Sequence, residues 1–290
     1  MDQNTLYKSP AAQREMMEIY EAVLAEWPAP CETMTVPTRF GETFVVAGGD
    51  EVNPALVLLH GAGSNSATWA GEAARYQLRY KLYAVDLIGE PGKSAPSRPS
   101  WDGPAYSDWL EQVLDGLKVE KAILLGLSQG GWTALKFATQ HPERIEALVL
   151  LTPGGVVPDR LSFFLRALPL SLLGSWGVAR LQSIVLGEVK LTEAAERFAR
   201  LSMVYFKARY GKLPIFSDEQ LRRLSMPVLL LGGKRDSIRD VDKIAARMQY
   251  LLPDLTTHIF PEAGHALIET ANWIIPFLQK SAEAGAFLGK

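Results

Sequence analysis

The sequence has little cysteine, little histidine and no surplus of either charge. Its 290 residues include one cysteine, Cys31, and four histidines, and the formal net charge is −2. A lone cysteine excludes an intrachain disulfide and a cysteine-rich metal site. A balanced charge lacks the basic surplus that draws a protein to nucleic acid or to an anionic membrane. We therefore expect a protein with no metal, no cofactor, no nucleic-acid partner and no membrane partner.

Apolar runs that are long enough to cross a membrane are also missing. The most apolar stretch, 161–186, is interrupted by Arg166, Pro169 and Arg180. A spanning helix needs about 18 or more uncharged apolar residues in succession. The first residues do not show a basic segment followed by an apolar one, which is the pattern of a secretory leader. The expected location is the cytoplasm.

Short, unbroken apolar runs alternate with amphipathic segments along most of the chain. The runs lie at 55–59, 81–85, 122–125, 147–151, 227–231 and 257–260. Unbroken apolarity predicts strands that are buried on both faces, as in a parallel sheet. The segments between them have helical spacing, and repeated strand–helix alternation indicates βαβ units. We predict an α/β fold with a mostly parallel central sheet and helices on both faces.

Three further segments complete the predicted organisation. Helical spacing predicts an N-terminal helix at about 10–27 and a closing helix at 267–278. The strand–helix alternation stops between 154 and 220, where no strand-like run occurs. We call 154–220 the insertion and predict that it is helical, while 1–153 and 221–290 form the core.

The string Gly126-Leu127-Ser128-Gln129-Gly130 lies between a predicted strand and a predicted helix. In this setting a Gly-x-Ser-x-Gly string is typical of a nucleophile elbow, a tight turn that exposes a serine hydroxyl above the sheet. The turn strains the serine backbone, and glycine on either side leaves room for neighbouring backbone. Ser128 is the predicted nucleophile. The alternative is a glycine-rich turn in which the serine is a bystander.

A serine nucleophile needs a base that removes its proton, and four histidines are available. His60 precedes a glycine in the turn after the first core strand, His141 ends a predicted helix, and His258 lies within the last strand. His265 occupies the loop between the last strand and the last helix. That loop is where the base belongs when the chain order is serine, acid, histidine. His265 is therefore the predicted base.

The acid that orients the histidine should follow the strand before the last one. Asp236 is the first carboxylate beyond the predicted strand at 227–231. Its role would be to hold the imidazole in one tautomer and to stabilise the imidazolium. Asp240 and Asp242 remain alternatives, although they open the next helix and fit capping and first-turn positions.

Acyl transfer also needs donors aimed at the oxygen that becomes negative. The backbone N–H of Gln129, directly after the nucleophile, is one expected donor. The second should come from the turn His60-Gly61-Ala62-Gly63 after the first core strand, where the N–H of Ala62 is the predicted donor. A glycine turn without this role is the alternative, and the two interpretations are compatible.

The insertion should emerge beside the nucleophile. Strands before and after it belong to one sheet, and ligands of such sheets bind outside the carboxyl ends of the strands. We therefore expect a helical cap over Ser128. Its apolar side chains are expected to line a pocket for an apolar acyl group. The predicted substrate-binding residues are Phe163, Phe164, Leu168 and Trp176.

With these residues in place, the chain resembles the α/β-hydrolase superfamily over about residues 32–290. The stretch Asp86-Leu87-Ile88-Gly89 with Ser94 is similar to that superfamily's Asp-x-x-Gly stretch after the following strand. The loop Glu90-Pro91-Gly92-Lys93 departs from the usual form because it is one residue longer. The resemblance implies the superfamily's fold and a catalytic triad.

The longer loop is similar to that of bacterial carboxylesterases of the NP type. The strings Thr38–Gly41 and Phe216–Leu221 are also similar to that group. This resemblance implies hydrolysis of carboxylic esters, including arylpropionate esters. The acid of that group can be glutamate, and the matching residue in this chain is Asp236.

Three functions remain open from the sequence. The first is a serine carboxylesterase that acts on a small-molecule ester through an acyl-serine intermediate. The second keeps the triad but hydrolyses a carbon–carbon bond, opens a lactone or carries out perhydrolysis, because nothing in the triad separates these reactions. The third is a non-enzymatic ligand receptor. A monomer or a homodimer is expected in each case.

Overall fold

The computed structural model describes residues 6–187, 189, 191–209 and 211–285. The strands in this part of the chain are β1 (Cys31–Thr38), β2 (Gly41–Gly48), β3 (Ala55–Leu59), β4 (Lys81–Val85), β5 (Ala122–Leu127), β6 (Ile145–Leu151), β7 (Val228–Gly233) and β8 (Leu255–Phe260). The helices are α1 (Pro10–Ala25), α2 (Ala70–Gln77), α3 (Ala105–Gly116), α4 (Gln129–Ala138), α5 (Leu161–Ser171), α6 (Gly174–Leu186), α7 (Glu193–Tyr205), α8 (Asp218–Leu221), α9 (Val241–Leu251) and α10 (Ala271–Glu283).

All eight of these strands form one sheet, in the order β1-β2-β4-β3-β5-β6-β7-β8. β2 runs antiparallel to both β1 and β4, and the pairs from β4 through to β8 are parallel. Because parallel strands end at the same edge, the loops after β3, β5, β6, β7 and β8 meet there. Ser128, Asp236, His265 and the turn that carries Ala62 lie in or next to these loops.

Apolar side chains on both faces of the sheet explain the unbroken runs in the sequence. Val57 and Leu59 of β3 belong to one core cluster, which also contains residues of α3, α4 and α9. Leu56 and Leu58 of the same strand belong to a second cluster, with residues of α1, α2 and α10. Each fully buried leucine contributes about 1.5–3 kcal/mol of transfer free energy. The predicted mostly parallel sheet with helices on both faces is confirmed.

The closing helix begins later than the sequence predicts, at Ala271 rather than at residue 267. Its start is fixed by Glu72 of α2, whose carboxylate accepts hydrogen bonds from the Ala271 N–H and the Thr270 hydroxyl, both at 2.7 Å. A carboxylate at a helix N-terminus satisfies free N–H groups and complements the helix dipole. The capping residue is distant in sequence, so local spacing could not reveal this boundary.

The insertion holds α5 to α8 between β6 and β7. α5 packs against α6, α6 against α7, and α7 against the N-terminal helix α1. After α7, Phe206 leaves the helical conformation and forms a β-bridge with Tyr7. The Lys8 N–H donates to Tyr205 O at 2.8 Å and the Lys207 N–H donates to Leu6 O at 2.7 Å. We call residues 6–8 the N-terminal arm.

Among the helices that the structure describes, none is both long enough and apolar enough to cross a bilayer.

Candidate active site

Ser128 occupies a strained turn between β5 and α4. Its φ is 53° and its ψ is −106°, in a region that side-chain-bearing residues rarely adopt. A Cβ on Gly126 would lie 2.5 Å from Gly130 O, and a Cβ on Gly130 would lie 2.5 Å from His60 O. Backbone atoms cannot yield as a flexible side chain can, so the turn requires glycine at both positions.

Backbone hydrogen bonds hold this turn against the end of β6. The Ser128 N–H donates to Leu151 O at 2.9 Å. The Ser128 carbonyl accepts from the N–H groups of Trp132 and Gly154, each at 3.0 Å. Strain of this kind costs about 1–3 kcal/mol and persists only where the surroundings fix the conformation. These three hydrogen bonds provide that constraint.

His265 and Asp236 form a buried hydrogen-bonded pair. His265 Nδ1 lies 2.8 Å from Asp236 Oδ2, and the two residues are only 8% and 3% exposed. Asp236 Oδ1 accepts the N–H groups of Ile238 at 2.7 Å and Arg239 at 2.9 Å. An ionised Asp236 requires the proton on Nδ1, which leaves the lone pair on Nε2 for a proton transfer.

Contacts between loops bring this pair to the strand ends beside Ser128. The Arg235 N–H donates to Ala263 O at 3.0 Å, which joins the loop after β7 to the loop after β8. The Thr152 hydroxyl donates to His265 O at 3.4 Å. Thr152 directly follows Leu151, the residue that accepts the Ser128 N–H. The structure therefore collects Ser128, Asp236 and His265 at one edge of the sheet.

The alternative histidines have other partners. The imidazole of His60 is fully buried and its Nε2 accepts the Leu87 N–H at 2.9 Å, and burial lowers its pKa. His141 stacks on Phe137 at the end of α4. His258 stacks on Trp273, with ring centroids 3.6 Å apart. These contacts fit structural roles for all three.

The alternative carboxylates also have other partners. Asp240 is the N-cap of α9, and its side chain accepts the Lys243 N–H at 3.4 Å. Asp242, in the first turn of that helix, pairs with Lys234 at 2.6 Å. Both therefore serve the helix start, as their sequence positions indicate.

The turn that carries the predicted oxyanion donor packs against the nucleophile. A Cβ on Gly61 would lie 3.6 Å from Ser128 Cβ. His60 supports this turn: because its Nε2 accepts a hydrogen bond, its Nδ1 carries the proton and donates to Gly61 O at 2.8 Å. Ala62 is exposed. Gln129 is the first residue of α4, so its N–H is one of the four that have no partner within the helix.

Glu90 is a residue at this site that reasoning from the sequence missed. Its Oε2 accepts the Gly63 N–H at 2.7 Å, and its Oε1 accepts the side-chain amide of Gln129 at 3.0 Å. Glu90 is 3% exposed, and burial raises the pKa of its carboxyl to about 7, although the hydrogen bonds from Gly63 and Gln129 act in the opposite direction. The available signal was the extra residue in the loop that contains it.

The four predicted substrate-binding residues lie on α5 and α6. Phe163 and Phe164 meet edge to face, with ring centroids 5.6 Å apart. Leu168 and Trp176 are 70% and 65% exposed, so solvent rather than a closed pocket surrounds much of each side chain. The structure thus does not gather the four around Ser128, and their role as the lining of an acyl pocket stays a prediction.

The described residues do not form a metal-binding cluster. No set of three or more histidine, cysteine or carboxylate side chains there is arranged to hold a metal ion.

Comparison with known proteins places this chain in a family. The model of the Alpha/beta hydrolase family matches residues 56–274. The chain is 34% identical to an uncharacterized carboxylesterase nap from Bacillus subtilis (strain 168), over 86% of each chain. The chain belongs to the α/β-hydrolase family, as its motifs predict.

Solved structures show the same likeness. The crystal structure of naproxen esterase (carboxylesterase NP) from Bacillus subtilis matches with a TM-score of 0.84 and 29% identity, covering 94% of this chain and 99% of that one. The carboxylesterase CesB (YbfK) from Bacillus subtilis matches with a TM-score of 0.78 and 25% identity, covering 97% and 99%. The resemblance to NP-type carboxylesterases that the sequence predicts is confirmed.

Proposed function

We propose that this protein is a serine carboxylesterase that hydrolyses carboxylic esters with an apolar acyl group. The observation that carries the proposal is the strained Ser128 at the elbow, at the same edge of the sheet as the buried pair of Asp236 and His265. This arrangement supplies a serine nucleophile, a base with a free ring nitrogen and an acid that fixes the base. The similarity to proteins named carboxylesterase supports the choice of ester hydrolysis.

The first half of the reaction acylates the enzyme. His265 Nε2 accepts the proton of the Ser128 hydroxyl while the Ser128 oxygen attacks the ester carbonyl carbon. The carbonyl oxygen becomes negative and accepts hydrogen bonds from the N–H groups of Ala62 and Gln129. The N-terminus of α4 adds a favourable partial charge. When the C–O bond breaks, His265 gives its proton to the leaving alcohol, and the acyl group stays on Ser128.

The second half of the reaction releases the acid. His265 accepts a proton from a water molecule as that water attacks the acyl-serine carbonyl, and the same N–H groups stabilise the second oxyanion. The bond to the Ser128 oxygen then breaks, and His265 returns the proton to that oxygen. The products are an alcohol and a carboxylic acid, and Asp236 stabilises the imidazolium in both halves.

We place the insertion over the site as a cap. Gly154, at the start of the insertion, donates to the Ser128 carbonyl. On α7, the Ser202 hydroxyl donates to Gly63 O at 2.6 Å, in the turn that carries Ala62. The insertion therefore begins beside the nucleophile and reaches back to the oxyanion turn, as a cap would. The core of 1–153 and 221–290 is proposed on the same basis.

A pair of assays tests the proposed function. Wild type should hydrolyse nitrophenyl esters and become labelled by a fluorophosphonate, whereas Ser128→Ala should do neither. A wild type that cleaves a lactone or a carbon–carbon substrate far faster than any nitrophenyl ester would favour the other triad reactions. Binding of a ligand without turnover of any of these substrates would favour a receptor. The cytoplasmic location and the choice between monomer and homodimer stay predictions.

A further inference from the structure

We propose that Glu90 is a positioning residue for the oxyanion hole, because it ties the turn that carries Ala62 to the elbow that carries Gln129. The inference rests on the proposed function, since it concerns the donors of that reaction. Glu90 lies in the loop between β4 and α3, 27 residues from Gly63 and 39 residues from Gln129 along the chain. One carboxylate thus joins two segments that are distant in sequence.

Each carboxylate oxygen of Glu90 has a separate task. Oε2 accepts the backbone N–H of Gly63 at 2.7 Å, and Oε1 accepts the side-chain amide of Gln129 at 3.0 Å. A carboxylate is an acceptor with two oxygens at a fixed spacing, and here it meets two donors. Because the group is planar and rigid, the two donors are held at a set separation from each other.

Gly63 is held from both sides, and this fixes the peptide next to Ala62. Glu90 binds the Gly63 N–H, while the Ser202 hydroxyl from α7 binds the Gly63 carbonyl at 2.6 Å. Gly63 has a φ of +68°. Because glycine lacks a Cβ, its backbone can leave this conformation easily unless hydrogen bonds hold it. The peptide between Ala62 and Gly63 cannot turn without breaking the bond to Glu90. The N–H of Ala62, one peptide earlier, is then preorganised for the developing oxyanion.

The burial of Glu90 is costly, and its surroundings offset the cost. A carboxylate removed from water requires hydrogen bonds or opposite charge. The positive charges of Arg98 and Arg209 act on the Glu90 carboxyl. The charge of Glu90 acts in turn on the phenols of Tyr7 and Tyr106. The Arg98 Nε–H donates to Gly89 O at 3.0 Å, and an N–H of Arg209 donates to the Tyr106 hydroxyl at 3.0 Å. These fixed arginines also limit the repulsion between Glu90 and the oxyanion.

Two substitutions separate hydrogen bonding from charge. Glu90→Ala removes both acceptors, and we expect kcat to fall about 10- to 100-fold with KM changed less than about threefold, because the oxyanion donors are displaced while the groups that bind the ester stay in place. In Glu90→Gln, the new side-chain carbonyl can accept the Gly63 N–H. The new side-chain amide can donate to the side-chain oxygen of Gln129 after the Gln129 amide flips. We expect this variant to keep kcat within about threefold of wild type.

Two further variants complete the experiment. Gln129→Ala keeps its backbone N–H but loses the bond to Glu90, and we expect a fall in kcat of about 5- to 20-fold that is not additive with Glu90→Ala. Glu21→Ala is the control. The Glu21 carboxylate is 58% exposed and pairs at 2.6 Å with Lys93, which lies in the same loop as Glu90. We expect the kcat of Glu21→Ala to equal that of wild type.

The outcomes are distinct. Wild-type kcat in folded Glu90→Ala, or equal losses in Glu90→Gln and Glu90→Ala, would overturn the positioning role while leaving the esterase proposal intact. If Glu90→Ala does not fold, an unchanged kcat in Gln129→Ala overturns the positioning role in its place. Failure of the wild type to hydrolyse any nitrophenyl ester or to react with a fluorophosphonate would instead overturn the proposed function.

Discussion

Asp236 divides its two carboxylate oxygens between His265 and its own loop. Oδ2 lies 2.8 Å from His265 Nδ1, while Oδ1 accepts the N–H groups of Ile238 and Arg239. The carboxylate therefore cannot rotate without losing three hydrogen bonds. The imidazole is fixed in turn, and the loop after β7 acts as the rigid support of the proposed base.

This division predicts the effect of Asp236→Asn. The new carbonyl should keep the two loop N–H groups, which turns the amide towards His265 Nδ1 and forces the proton onto Nε2, the wrong tautomer for a base. We expect kcat to fall by about 10⁴-fold with the fold intact, as in serine-protease triads. Asp240→Asn is the matched control, because asparagine also caps helices well and Asp240 caps α9 and pairs with Arg160. Full activity in Asp236→Asn together with a loss in Asp240→Asn would show that the acid is misassigned.

Ser128→Ala should remove the nucleophile without disturbing the turn, because alanine retains the Cβ. We expect kcat to fall by about 10⁶-fold with little change in KM, which is the size of loss seen when a triad nucleophile is removed. Steady-state kinetics on nitrophenyl butyrate and labelling by a fluorophosphonate measure both effects. Substantial hydrolysis by a folded Ser128→Ala protein would contradict the mechanism.

The buried carboxyl of Glu90 should make stability depend on pH. Burial raises its pKa to about 7 in the folded chain, against an ordinary value of 4.5. Between these values the folded state keeps a proton that the unfolded state releases. The favourable contribution is therefore complete below pH 4.5 and is lost as the pH rises through 7. Glu90→Gln does not have this loss. Its free energy of unfolding should therefore exceed that of wild type by about 3 kcal/mol at pH 8, with little difference at pH 4.

Urea unfolding at the two pH values measures this difference in the free energy of unfolding. Glu21→Gln is the control, because that carboxylate is 58% exposed. A gain for Glu90→Gln that is the same at pH 4 and pH 8 would show that the carboxyl is already ionised in the folded state at low pH.

The predicted acyl pocket has a separate test. Each buried CH₂ contributes about 0.8 kcal/mol, so two more carbons in the acyl chain should raise kcat/KM roughly tenfold until the pocket fills. Phe163→Ser should flatten this dependence more than Trp176→Ser, because Trp176 is 65% exposed whereas Phe163 is half-buried. Nitrophenyl esters from acetate to octanoate measure it. Identical chain-length profiles in all three proteins would show that acyl selectivity is set elsewhere.

The sequence was sufficient for features that depend on local order. The tight turn at Ser128 could be predicted because the glycines around it, the strand before it and the helix after it are consecutive in the chain. His265 and Asp236 could be placed because parallel strands end at one edge, so a residue just beyond a strand lies near that edge. The apolar runs likewise predicted burial on both faces of the sheet.

Features that depend on distant partners could not be derived in this way. The contacts of Glu90 with Gly63 and Gln129 are formed by the fold, because both partners are distant from Glu90 in sequence. The start of α10 depends on Glu72, which lies 199 positions before Ala271. The exposure of Leu168 and Trp176 depends on how α5 and α6 pack, and a run of apolar residues does not specify which of its members face solvent.

The N-terminal arm gives the insertion an attachment in addition to its two chain connections and the Ser202–Gly63 hydrogen bond. A segment that is joined to a core only by its two chain connections can rotate as a body about the axis through them. Here Leu6 O accepts the N–H of Lys207, just after α7, and the Lys8 N–H donates to Tyr205 O at the end of α7. Any movement of α7 away from the sheet must either release these two hydrogen bonds or carry the arm with it. The arm thus restrains the C-terminal end of α7.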